Sequence, residues 1–162
     1  MNFARFLMLL SLGVWIGGLV FLPIVAQISF TELPSPHLAG IVVRRSLIAL
    51  HRIGLVGGAV FLIGSLLEGR ITQRRSALFC PIPIILALMM ALTAISQFRI
   101  IPKMDALRTE AGEISTLSAD SPVRQQFDFL HAASTRVEGA VLILGIVLLY
   151  LTTRRLSAVP RA

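Results

Sequence analysis

The sequence predicts an all-α integral membrane protein: an antiparallel four-helix bundle whose second and fourth helices, and the third past Pro102, extend beyond the bilayer on one side. Three observations point there. Only 14% of the 162 residues are charged, while 56% are hydrophobic and the mean hydropathy is +0.84. A soluble domain carries about 25% charged residues, so this chain cannot face water all round. Four apolar runs divide the chain, and Ser-Pro pairs precede two of them.

The first run, Phe6 to Thr31, is free of charge. It exceeds the 7–15 residues of a signal-peptide core, so a retained first helix is expected although Arg5 precedes it. Pro23 and Gln27 suggest a bend in this helix. The run from Ala77 to Phe98 is also charge-free, at 22 residues. At 1.5 Å per residue it covers a core of about 30 Å.

The other two runs, Ile53 to Leu67 and Gly139 to Thr153, hold 15 residues each. They cover only about 22 Å and must borrow a polar turn to cross. Arginines close their far ends, so each extends backward, over Arg52 and His51 in one case and over Glu138, Arg136 and Thr135 in the other. The two helices run the same way, which places both polar turns in one leaflet. The third helix ends in that leaflet with Ser96, Gln97 and Arg99.

Ser35–Pro36 and Ser121–Pro122 have the pattern of Ser at N-cap and Pro at N1. The second and fourth helices therefore start well outside the bilayer, and the segment ISTLSADS reads as a loop. The chain reads as one membrane domain, residues 1–162, with spans near 5–30, 47–68, 78–101 and 134–153.

The net charge of +7 reads as basic membrane flanks. No basic patch interleaved with aromatics and no glycine-rich phosphate loop is present, so a nucleic-acid partner is not expected. Counting Lys and Arg near the short loops puts the N- and C-termini in the cytoplasm, with a bacterial inner membrane as the expected location. Membrane lipids are the expected partners, with a homo-oligomer or a membrane partner subunit as further candidates. The single cysteine, Cys80, allows no internal disulfide and reads as structural.

An ionisable residue inside a span is expensive, roughly 2.5–3.5 kcal/mol at mid-bilayer on insertion scales. The polar turns are therefore the candidate site. Glu138 snorkels poorly and is expected to be protonated or paired with Arg52 or Arg99. Asp128, His131, Thr135 and Glu138 recur at steps of 3, 4 and 3 and are expected to face the bundle. Two readings stand. A structural polar plug would fix helix register. A ligand or ion site would use Arg52, Gln97, Arg99, Asp128, Ser134, Thr135 and Glu138, with His51 and His131 as metal-ligand candidates. Copper or a haem iron would suit two facing histidines. Met89, Met90 and Met104 could add soft ligands for copper(I). Ser134 lies one turn from His131 on the same helix and has no oxyanion hole beside it, so no nucleophile–base pair suggests an enzyme.

Small residues supply packing signals. Gly13 and Gly17 form a GxxxG pair in the first helix, and Gly54, Gly57, Gly58 and Gly64 line the second. They are expected to let helices approach closely, in the bundle itself or in a dimer, with the bundle the favoured reading. Trp15 lies too deep for an interfacial belt and is expected between helices. Residues 50–64 and 130–145 echo each other with Leu-His before Gly-Ala-Val, which suggests tandem hairpins.

Three segments carry a family resemblance: GVWIGGLVFLPIVAQISFTELPSPHLAGIVV, SQFRIIPKMDALR and FDFLHAASTRVEGAVLILGIVLL. They include Trp15, Gly17 and Gly18, then Pro102, Asp105, Leu107 and Arg108, then Phe127, Leu130, His131 and Ser134. The chain resembles the transmembrane protein 205-like family, a four-helix membrane family of unknown function with copper-resistance-D-like membrane proteins as distant relatives. The resemblance implies the fold and topology, and it implies no reaction.

Overall fold

The computed structural model describes residues 2–71 and 81–157. Cys80, Arg74, Arg75 and Arg161 lie outside the described residues. Helix α1 is Asn2–Glu32, α2 is Pro36–Ile71 and α3 is Pro81–Ile95. A π-helical turn, Ser96–Ile100, joins α3 to α4, Ile101–Ala111. Helix α5 is Pro122–Ser157. Four helical units are long and apolar enough to cross a membrane: α1, α2, α3 with α4, and α5. No strand occurs among the described residues. The chain is a multi-pass membrane protein.

The helix ends follow local chemistry. The Leu38 N–H donates to Ser35 Oγ at 3.2 Å, so Ser35 caps α2 and Pro36 opens it. Helix α4 stops at Gly112, whose φ of +70° favours glycine and whose N–H donates to Arg108 O at 2.9 Å. The expected bend at Pro102 takes a specific form. Proline has no N–H, and its ring crowds the carbonyl four residues back. The chain answers with the π turn just before it, where the Ile101 N–H bonds Ser96 O, five residues back.

Helix α2 packs on α1 and α3, and α5 packs on the same two helices. Helices α2 and α5 therefore face each other across the diagonal of the bundle and run in the same direction. The core between them holds Trp15, Phe61, Leu86, Met89, Val141 and Leu148. Large apolar side chains such as Phe21, Val56, Ile84 and Ile143 point outward, as lipid contact requires.

Several close approaches are made at glycines of α2. A methyl group at Gly54 would stand 2.4 Å from ring atoms of Trp15, and one at Gly58 2.9 Å from Met90 Sδ. Trp15 thus lies between helices, as its depth suggested. Gly13 and Gly17 differ from expectation. They face away from the bundle, and a methyl at either would meet nothing within 4 Å. Leu12, Trp15 and Leu19 occupy the inward stripe of α1 instead, because the larger side chains fill the groove opened by the glycines of α2.

Charged pairs tie the ends. At one end Arg5 Nε bonds Glu68 Oε1 at 2.8 Å and joins α1 to α2. At the other, Arg44 pairs with Asp105, linking α2 to α4, and the Arg108 guanidinium lies 5.0 Å over the Phe127 ring, linking α4 to α5.

Gly54→Val should destabilise the protein by about 1–3 kcal/mol, because the rigid indole cannot yield as a flexible chain would. Gly13→Val should stay within about 0.5 kcal/mol of wild type. Denaturant unfolding in mixed micelles checks both.

Candidate functional site

Three elements meet on the bundle axis. His51 comes from α2, Ser96 and Gln97 from the π turn, and Glu138 from α5. His51 Nδ1 lies 3.0 Å from Gln97 Oε1, and Nε2 lies 2.8 Å from Glu138 Oε1. The Ser96 hydroxyl donates to the same carboxylate oxygen at 3.0 Å. His51 is 1% exposed and Ser96 is fully buried. The Glu138 side chain is 13% exposed.

The His51–Glu138 contact spans the diagonal between α2 and α5. Two long polar side chains fill the centre where the backbones do not approach. The π turn contributes the third side, because its altered register presents Ser96 and Gln97 together to the axis. Two polar atoms nearby have no hydrogen-bond partner: Glu138 Oε2 and Thr93 Oγ1. Thr93 lies one turn from Ser96 along the same helical rod. Such orphans are rare in folded proteins and mark a place where water or a ligand group fits.

The other sequence candidates are placed elsewhere. Ser134 is buried one turn from Glu138 on α5. Arg52 and Arg99 are exposed, so neither takes the expected pairing with Glu138, which goes to His51 and Ser96. At about 100° per residue, Arg52 is turned from the inward face that His51 occupies, and its long chain can reach the interface. Asp128, His131 and Thr135 are also exposed. The inward face of α5 is centred on Ser134, Val141, Leu148 and Thr152, and Asp128 and Thr135 lie roughly a third of a turn round from it. Asp128 sits 4.0 Å from Arg124, and the Thr135 hydroxyl donates to His131 O. The step of 3, 4 and 3 described a stripe that drifts off the core.

His131 stacks with Phe127 at 6.4 Å between ring centres. It stands seven residues from Glu138, about 10 Å along the helix, so it does not pair with His51. His51 has both ring nitrogens engaged, and neither offers a free lone pair to copper or a haem iron. Among the described residues no group of three or more His, Cys, Asp or Glu side chains is placed to hold a metal ion. Met89 and Met90 pack in the core against Gly145 and Gly58. The Leu-His echo likewise ends in different environments, since His51 is buried and His131 exposed.

Sequence reasoning did not select Ser96 or Thr93 as site residues. The signal was present in the polar stripe Thr93, Ser96 and Gln97 ahead of Pro102, but a side-chain pattern does not reveal a π turn.

The family described as a domain of unknown function, DUF4149, matches residues 10–113, more than half of the chain. The chain belongs to that family. The DUF4149 match covers His51, Ser96 and Gln97 and ends before Glu138. It names neither the transmembrane protein 205-like family nor copper-resistance-D-like proteins. No curated protein and no solved structure matches this DUF4149 chain.

His51→Ala should cost about 3–5 kcal/mol, because it strands the Glu138 carboxyl in the bundle. Arg52→Ala should cost less than about 0.5 kcal/mol. A His51→Leu, Glu138→Leu double variant should recover most of the single-variant loss, and a double-mutant cycle in micelles reads the coupling.

Proposed function

We propose that this protein binds or moves a small solute or ion at the His51–Gln97–Ser96–Glu138 cluster, near one membrane face. The observation that carries the reading is the bare Glu138 Oε2. A carboxyl inside a membrane bundle is costly, and such residues usually line solute or ion paths. Its Oε1 is bonded by His51 Nε2 and by the Ser96 hydroxyl, while Oε2 has no partner. A cation or a group bearing a hydrogen-bond donor would complete it.

The cluster lies between the apolar midsection and the end of the bundle that carries Arg44, Asp105 and Arg108. On its other side Trp15, Phe61, Met89 and Val141 close the axis with apolar side chains. That arrangement favours binding from one face. The proposed spans remain near 5–30, 47–68, 78–101 and 134–153, within one membrane domain. With the termini cytoplasmic in a bacterial inner membrane, an orientation that rests on the Lys and Arg count near the short loops, the site faces the other side.

The test uses the protein in lipid nanodiscs with sodium ion, methylammonium and copper(I) as probes. One of them should stabilise the wild type by about 2.7 kcal/mol at a hundredfold excess over its Kd. Glu138→Gln should abolish the gain while retaining the fold. If none of the three probes raises the unfolding midpoint of the wild type, the reading fails.

A further inference from the structure

We propose that the His51–Glu138 pair is a binding site for one exchangeable proton, and that loss of this proton turns the Gln97 carboxamide. The proposal rests on the reading of the cluster as a binding site and names its ligand. It follows from counting hydrogens along the chain of contacts.

Gln97 presents its carbonyl oxygen to His51 Nδ1, so Nδ1 carries a hydrogen and donates. His51 Nε2 and Glu138 Oε1 are 2.8 Å apart, which requires one hydrogen between them. It lies on Nε2 as an imidazolium facing a carboxylate, or on Oε1 as a carboxylic acid facing a neutral imidazole. Both forms contain the same protons and carry no net charge. Ser96 donates to Oε1 in either form. Loaded with this proton the pair is neutral, the state that a low-dielectric bundle tolerates best.

Removing one proton changes the pattern in only one economical way. The remaining imidazole hydrogen moves to Nε2, where it faces the carboxylate. Nδ1 is left with a lone pair pointing at the Gln97 carbonyl oxygen, and two acceptors in contact repel. A half-turn of the carboxamide replaces oxygen with an N–H donor and restores the bond. The pair goes from charge zero to minus one as the proton leaves for water. Proton occupancy is thereby read by a side chain of the π turn, the element that links α3 to α4.

Among the described residues no other charged side chain shares the contact. From α2 the nearest is Arg52, from the π turn Arg99 and from α5 Arg136, and all three are exposed. Helix α1 offers only apolar residues at this level, among them Trp15 and Leu19. The orphaned Oε2 and Thr93 Oγ1 give a departing proton or a water molecule a polar foothold.

The test is pH-difference infrared spectroscopy on the full chain in nanodiscs with isotope-labelled glutamine, the Gln97 band being assigned by its loss in Gln97→Leu. Raising the pH should shift that band in the wild type. Glu138→Gln, which preserves shape but cannot ionise, should hold it fixed. A band that ignores pH in the wild type, or that shifts alike in Glu138→Gln, overturns the proposal. A silent band in a protein that sodium ion, methylammonium or copper(I) stabilises overturns the proton site and leaves the solute site standing. A responsive band in a protein that none of them stabilises does the reverse.

Discussion

A carboxyl group and an imidazole meet across the diagonal of a membrane bundle, and much of the architecture around them answers to that contact. Neither group could be buried alone, since an isolated charge in so apolar a setting costs several kcal/mol after relaxation. Together they satisfy each other through the 2.8 Å contact of His51 Nε2 with Glu138 Oε1. The pair has donors from Ser96 and a carbonyl from Gln97. It also determines which helices must be neighbours. Helices α2 and α5 have no need to touch through their backbones, because their side chains bridge the gap, while α1 and α3 with the π turn enclose them.

Pro102 is the second determinant. It lies outside the contact and still shapes it, because a missing N–H one turn later forces the ladder to widen from four residues to five. Without the widening, Ser96 and Gln97 would occupy ordinary α-helical positions, about 100° apart. With it, one bonds Glu138 and the other bonds His51. A backbone accommodation to proline thus supplies two of the four groups in the cluster.

The remaining charges are arranged around these constraints. Arg52, Arg99 and Arg136 lie near the level of the pair yet stand outside it, exposed, with stems long enough to carry their heads to the interface. Arg5 with Glu68 and Arg44 with Asp105 secure the bundle at its two ends. The midsection relies on shape. Trp15 lies against Gly54 and Gly58, and Ile16 and Met89 lie against Gly145. In lipid, where apolar contact alone gives helices little reason to associate, such close fits and buried polar bonds do the joining.

The sequence by itself determined the four helices, their alternating direction, the caps at Ser35 and the stop after α4, because these depend on local propensity and on the length of apolar runs. It also determined that His51, Gln97 and Glu138 lie at similar depth, since two 15-residue runs are too short to cross. Only the tertiary structure decided which polar residues share the axis. Positions one residue apart, such as His51 and Arg52, point about 100° apart, and the choice of inward face depends on where the glycines and large side chains of the neighbours fit. For the same reason the periodic stripe through Asp128, His131 and Thr135 turned outward, and the GxxxG pair of α1 faced lipid. The π turn was beyond sequence periodicity altogether, because it is a property of the hydrogen-bond ladder and not of the side-chain pattern.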